Sequence, residues 1–581
     1  MTSPDTDVEA TVDGGLDEPT ELEPEQGALE LAQPEDEHTR ADWEKATAAV
    51  LRKARRMSED DDDALVWDKL TRTTLDGIAV TPLGTPDLLD DLGAGERPTR
   101  QGAWDIRAHL GAGSAKQTNE DALVDLNGGV TSLWAAVDPD TDFATLLDGV
   151  FLDLAPVVLD ATSDPVGTAR SFLSCVGDLE LHPATNLGVP AELATPELAA
   201  AARERGILAF VVDATGVHDR GASDAQELGW SMSAAAGYLR VLSAAGISVE
   251  EAAGLVEFRY AVTDEQFPGI AKLRAARQLW ARVLELSEVS PGSMSQRQHA
   301  VTSKPMMSRY DPYVNMLRTT VAAFAAGVGG ADSVTVLPFD SPLGKPETLG
   351  RRIARNTSAL LISESHLAKV ADPAGGSYAV EKLTADLAGA AWEVLGNLES
   401  GADLDAAIAE VAAVRDQQVA TRKRPLTGLT EFPNLAEELP ERTPDGAFDD
   451  VRPYGAAFEE LRDAPPAGHV FLATLGTIAS HTARATFATN LFAAGGVAVD
   501  VAGATDGVDA LLAAYDGQAV ACLAGADATY AEWGEAASAA LREAGATRVI
   551  IAGKPADHTD DACAMGVDAL AFLIRTREAL Q

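Results

Sequence analysis

Residues 208–223 read Leu-Ala-Phe-Val-Val-Asp-Ala-Thr-Gly-Val-His-Asp-Arg-Gly-Ala-Ser, a five-residue apolar run closed by Asp213, a polar loop, and the helix-start signal Ser223 ahead of Asp224-Ala225-Gln226. Bulky β-formers in an unbroken run fit a strand buried on both faces, as in a parallel sheet with helices outside it. The rhythm recurs on either side. Short apolar runs at Ser132–Ala136, Val157–Asp160, Val256–Val262, Met294–Ala300 and Val334–Pro338 alternate with helical stretches beginning near Ser223, Gln266, Pro312 and Glu347. Asp311-Pro312 reads as a helix start, a capping carboxylate followed by a proline suited to the first turn. Seven or eight such βα units between residues 101 and 420 predict a (β/α)8 barrel.

Outward from the barrel the composition changes twice. Residues 421–465 carry Pro425, Pro433, Pro440, Pro444, Pro453 and Pro465 with no sustained period, and read as a linker. Residues 466–581 alternate again, with strands expected at Val470–Ala473, Ala498–Val501, Ala519–Leu523, Arg548–Ala552 and Ala569–Leu573, a flavodoxin-like doubly wound domain whose ligand loops lie at the strand C-termini. On the N-terminal side, residues 1–40 hold four prolines, many acids and hardly any large apolar side chain, too little to offset ordering entropy, and predict a disordered acidic tail. Residues 41–100 form an arm. Trp43, Ala46, Val50, Ala54 and Met57 fall near helical spacing among Lys45, Arg52, Lys53, Arg55 and Arg56, followed by Leu65-Val66-Trp67. Two tryptophans on such an arm point to a subunit contact.

Ninety acidic against 45 basic residues, a formal charge of -45 over 581 residues, repel nucleic acid and anionic lipid. No apolar run approaches a membrane span. Cys175, Cys522 and Cys563 are isolated, which excludes a disulfide framework or zinc knot and fits a reducing cytoplasm. No Lys or Arg precedes Arg40, and no apolar signal segment follows Met1. A Gly-rich phosphate loop, a metal cluster at ligand spacing and a Ser-His-Asp arrangement are not recognisable.

Four blocks in the barrel carry a resemblance: Ile270-Ala271-Lys272-Leu273-Arg274-Ala275-Ala276-Arg277 with Leu279-Trp280; Asp311-Pro312-Tyr313 with Asn315 and Arg318-Thr319; Arg352-Ile353-Ala354-Arg355-Asn356-Thr357; and Asp372-Pro373 with Gly375-Gly376-Ser377-Tyr378. In this order they resemble the methylmalonyl-CoA mutase family, and the resemblance runs from about Asp76 to the C-terminus. It implies the same barrel, linker and flavodoxin-like cobalamin-binding domain. It also implies a radical interconversion of (R)-methylmalonyl-CoA and succinyl-CoA driven by adenosylcobalamin, in which the protein orients substrate and shuts out water.

The family's working residues are not matched. In catalytic chains a Tyr-His pair precedes a Gly-Ala-Thr run; here the run is Gly221-Ala222-Ser223, and Thr215 and Gly216 stand at those positions, with His218 two residues on and expected to be a surface-loop histidine. A second tyrosine, upstream of Trp104-Asp105-Ile106-Arg107, is replaced at Thr99. The arginine stretch that grips the substrate carboxylate has no counterpart around Leu181–Leu193, while Arg297 and His299 persist. The cobalamin signature Asp-x-His-x-x-Gly becomes Ala479-Ser480-His481-Thr482-Ala483-Arg484, leaving His481 as a weak ligand candidate. The later Ser-x-Leu is not evident near Cys522-Leu523-Ala524-Gly525, and the Gly-Gly pair is Ala552-Gly553. Loss at two separate sites implies a non-catalytic small subunit of a heterodimeric methylmalonyl-CoA mutase. It is expected to carry no catalytic residue, metal or cofactor of its own and to support a large subunit that holds adenosylcobalamin. The alternatives are a self-sufficient acyl-CoA mutase of altered specificity and an acyl-CoA-binding scaffold.

Overall fold

In the computed structural model, residues 37–90, 92, 100, 102–161 and 163–581 are described. Residues 1–36, and with them nearly all of the expected acidic tail, lie outside them, as does Thr99. The chain divides into two compact units, Met1–Arg72 and Thr73–Gln581. In the first, a helix spans Arg40–Lys53, started by a reciprocal capping box between Thr39 and Asp42. Ala48, Leu51, Met57 and Val66 are buried together, Trp43 and Trp67 lie 4.7 Å apart, and the Trp67 indole N–H donates to Glu44.

The second unit holds the barrel and the five-stranded sheet. Eight parallel strands close a barrel: β1 (Asp105–Leu110), β2 (Ser132–Val137), β3 (Val157–Ala161), β4 (Asn186–Pro190), β5 (Leu208–Asp213), β6 (Val256–Val262), β7 (Gln298–Thr302) and β8 (Ser333–Thr335), with β8 pairing back to β1 at Ser333 and Asp105. The helices that matter below are α1 (Asp224–Ala244), α2 (Gln266–Leu286), α3 (Val314–Gly329) and α4 (Thr348–Ser363). Ser223 caps α1 in a box with Gln226. Residues of the four blocks serve as joints. Arg274 pairs with Asp372 and Glu381, Arg277 donates to the Gln298 side chain and the Gly329 carbonyl, and Trp280 packs edge-on against Phe258.

Several expectations need correcting. Asp311 does not cap α3: it takes a left-handed φ of 49°, its N–H donates to the Glu437 carboxylate, and the helix begins at Val314 without a side-chain cap. The strand expected at Met294–Ala300 is Gln298–Thr302, and that at Val334–Pro338 is Ser333–Thr335. Within 421–465, Ala456–Asp463 is a helix with Phe458 buried, locked to the barrel by Arg309 against Glu459 and Asp463 and by Tyr310 donating to Asp463. Strand β4 contains a bulge between Asn186 and Val189, where Gly188 has φ 66° and an added Cβ would lie 1.9 Å from the Leu159 carbonyl oxygen. Gly188→Ala should therefore destabilise by about 1–3 kcal/mol in chemical unfolding. Gly206→Ala, also at positive φ but in open space, should cost no more than about 1 kcal/mol.

The C-terminal sheet has five parallel strands, β9 (Val470–Thr474), β10 (Val499–Val501), β11 (Val520–Ala524), β12 (Arg548–Ala552) and β13 (Asp561–Cys563), in the order β10-β9-β11-β12-β13. This is the flavodoxin-like order. Its fifth strand is not Ala569–Leu573, which opens the helix Ala569–Glu578. Asp568 caps that helix, and Ala569, Phe572, Leu573 and Thr576 are buried at helical spacing. The true strand is three residues long and begins with an acid, so it shows no apolar run.

Candidate functional site

Barrel enzymes place their chemistry at the C-terminal ends of the strands. Here the end of β5 runs into a short helix, Thr215–Asp219. The Thr215 backbone N–H and hydroxyl both donate to one Asp213 oxygen, at 3.0 and 2.6 Å, while the other accepts from Arg259 on β6. Gly216 presents no side chain, and a Cβ there would meet nothing within 4 Å. His218 is not a surface residue. It is 2% exposed, with Nε2 2.7 Å from the Ser303 hydroxyl and Nδ1 3.1 Å from a Glu227 carboxylate oxygen, though off the line of a hydrogen bond.

Behind His218 lies a buried charge cluster. The Lys272 ammonium on α2 contacts Glu227, lies 3.0 Å from Asp224 and donates to the Ala261 carbonyl, while Glu227 also accepts the Ala261 N–H. Burial pushes the Asp224 carboxyl up, but Lys272, with help from His218 and Arg415, holds it below the usual range.

The barrel interior is occupied. Arg107 forms a bidentate pair with Glu257, both side chains fully buried, and Arg297 adds a bond to the same carboxylate. Nearer the mouth, the Trp134 ring is enclosed by the Arg259 guanidinium at 4.1 Å, His109 at 4.4 Å and His299 at 5.3 Å. Burial and then the surrounding arginines hold His299 well below its ordinary pKa, so it is neutral; it accepts from Arg259 at Nδ1 and bonds Thr335 at Nε2. A cavity against β1, between it and α4, has about 30 Å³, room for a water or two and not for an acyl thioester.

In the second sheet the strand order reverses between β9 and β11, which is where doubly wound folds open a ligand crevice. A glycine follows each of three strand ends, Gly476, Gly525 and Gly553. Arg484, on the helix Ile478–Ala494, reaches across, donates to the Gly525 carbonyl at 2.6 Å and pairs with Asp527, with its guanidinium 4.9 Å from the Tyr530 ring centre. The Tyr530 hydroxyl accepts the Gly525 N–H at 2.9 Å and donates to the Ala552 carbonyl at 2.8 Å. His481 is 6% exposed, and its Nδ1 is buried without a partner. Among the described residues no group of three His, Cys, Asp or Glu side chains stands at metal-binding separation, and no helix is long and apolar enough to cross a membrane.

The model of the family named methylmalonyl-CoA mutase matches residues 204–463. The methylmalonyl-CoA mutase small subunit of Streptomyces virginiae is 42% identical, aligned over 95% of this chain and 98% of its own. The chain belongs to the methylmalonyl-CoA mutase family. The small subunit of Propionibacterium freudenreichii subsp. shermanii is 33% identical over 93% of this chain and 95% of its own, and the probable small subunit of Mycobacterium tuberculosis (strain ATCC 25618 / H37Rv) is 39% identical over 89% and 92%. The matched span covers β5 to the helix Ala456–Asp463, and so takes in the Thr215 loop, the Lys272 cluster and the barrel-to-sheet joint.

In this member of the mutase family, Thr215 and Gly216 stand together at the end of β5, whereas His481 is in the other sheet's domain. Sequence reasoning missed Trp134, Glu227 and Tyr530. Lys272 offered a signal for Glu227, since a lone lysine among Ile270, Ala271, Leu273, Ala275 and Ala276 must find a buried carboxylate. Trp134 gave none, because its partners are remote in the chain, and Tyr530 gave none, because Arg484 and Ala552, which it meets over the sheet, are far from it in sequence.

Proposed function

We propose that this chain is the non-catalytic small subunit of a heterodimeric methylmalonyl-CoA mutase. A catalytic large subunit would carry out the adenosylcobalamin-dependent interconversion of (R)-methylmalonyl-CoA and succinyl-CoA, and this chain would stabilise it. One observation carries the reading. At the end of β5, where the resemblance calls for a tyrosine and a histidine, Thr215 spends its hydroxyl on Asp213, Gly216 has no side chain, and His218 is buried between Ser303 and Glu227. No general acid or base projects from that turn toward a substrate.

The residues of the second sheet do not fit cobalamin. A ligating histidine must offer a ring nitrogen to the crevice and be steered by a second group. His481 is buried, the position two residues before it is Ala479, and Arg484 with Tyr530 lies across the glycine-lined strand ends. The cofactor of the complex is therefore assigned to the large subunit. For the contact with that subunit we assign part of the arm at residues 41–100. Its helix keeps a small core of its own while Lys45, Val50, Lys53, Arg55 and Arg56 face outward.

The test is cobalamin content and mutase activity of the chain purified alone and after co-expression with a large subunit. A colourless, inert chain and a red, active complex are expected. Turnover or cobalamin in the lone chain would sink the proposal.

A further inference from the structure

We infer that Arg484 and Tyr530 form an internal clasp that stands in for a ligand, tying the ends of β9, β11 and β12 together and closing this crevice to corrinoids. The inference rests on reading this domain as cofactor-free, and it adds what replaces the cofactor.

Three observations carry it. Glycines at the ends of three neighbouring strands clear space above the sheet, and that space is filled by the chain itself: an added Cβ on Gly525 would lie 3.4 Å from the Tyr530 ring, and one on Gly553 would lie 3.6 Å from the Arg484 guanidinium carbon and 3.7 Å from the Tyr530 ring. Next, the hydrogen bonds of the pair go to strand-end backbone. Tyr530 bonds Gly525 and Ala552, so one oxygen links β11 to β12, and Arg484 joins the helix after β9 to the Gly525 carbonyl. Beside them, the Leu475 N–H donates to the Ala524 carbonyl, which draws the β9 loop to the same edge. Backbone groups that would otherwise face a ligand or water are thus satisfied from within. Finally, Tyr530 opens a five-residue π-helical turn, Tyr530–Gly534, ahead of the helix Glu535–Glu543. Such turns hold one extra residue and occur preferentially at functional positions. Here the turn begins at the residue that reaches over the sheet.

The clasp also carries its own counter-charge. Asp527 pairs with the guanidinium that Tyr530 underlies, which offsets part of the charge that a phosphate of an incoming nucleotide tail would meet.

Hydrogen–deuterium exchange on the full chain tests this, comparing wild type with Tyr530→Phe and with Arg484→Ala/Tyr530→Phe. Peptides covering 474–484, 523–530 and 551–556 should exchange about tenfold faster or more in the double variant, with the Gly525 amide most affected in the single one, while peptides of β5 stay unchanged. Hydroxocobalamin added to the wild-type chain should not be retained on gel filtration. Unchanged exchange in these three segments would overturn the clasp while leaving the non-catalytic reading intact. Stoichiometric retention of hydroxocobalamin by wild type would overturn both. Should the double variant loosen the barrel as well, Tyr530→Phe, which removes a single oxygen, decides alone.

Discussion

Replacing Lys272 with methionine should lower stability by about 3–5 kcal/mol at neutral pH, because it strands buried carboxylates. The ammonium is 1% exposed and contacts Glu227, which is fully buried, and Asp224, and its third hydrogen bond goes to the Ala261 carbonyl. Burial works against the charged lysine, yet the two carboxylates together hold it protonated well above its ordinary range. Methionine fills nearly the same volume, so the loss reads electrostatics rather than a cavity. Two controls give the prediction content. Lys272→Met with Glu227→Gln should recover much of the loss, since removing both charges is cheaper than stranding one. The deficit should also narrow as pH falls below 4. The Asp224 carboxyl is depressed in the folded protein, so its pairing contributes above the unfolded value of 3.8 and is lost as pH falls through its folded value. Denaturant midpoints at several pH values measure this, and a neutral-pH loss under about 1 kcal/mol would show the cluster to be solvated.

The same cluster marks where the sequence was legible and where it was not. The barrel could be read because six of its strands fall in or beside short apolar runs between helices. The two that were missed, Asp105–Leu110 and Asn186–Pro190, are polar for a physical reason: β1 turns Arg107 and His109 to an interior filled with charge and rings, and β4 carries a buried asparagine and a bulged glycine. Alternation of this kind resembles a solvated segment until the far wall of the barrel supplies Glu257 and the neighbouring strand β2 supplies Trp134. The candidate site behaves likewise. Thr215 and Gly216 could be placed by counting from Gly221, because substitution is visible in one dimension. The burial of His218 could not, since Ser303 is 85 residues away, and the occupied crevice depends on Arg484 and Gly525 meeting across 41 residues. A helix opening with the apolar run Ala569–Leu573 passed for a strand because five consecutive apolar residues satisfy either period.

Asp76→Asn should stabilise the protein, and more so as pH rises. Asp76 lies in the turn from Thr74 to Ile78 and accepts the Ala225 N–H in the first turn of α1, close to Asp224. Burial first, and then the charge of Asp224, pushes its carboxyl up to about 6, against the pull of Ser223, Ala225 and Lys272. The sign follows from which state binds the proton more tightly. The folded protein does, so the contribution of Asp76 is fully present below the unfolded value of 3.8 and is lost as pH rises through about 6. Above that, wild type keeps a charged carboxylate beside Asp224, and asparagine, which still accepts from Ala225, does not. The gain is at most about 3 kcal/mol at pH 8, and less to the degree that water reaches this partly buried side chain. Roughly half is already present at pH 5, so the gap between variant and wild type should widen by about 1 kcal/mol from pH 5 to pH 8. Parallel urea titrations at the two pH values read that widening directly. A gap that stays constant, or closes at high pH, would mean that the Asp76 carboxylate is held by Lys272 rather than opposed by Asp224, and that the turn docks on α1 with its charge satisfied.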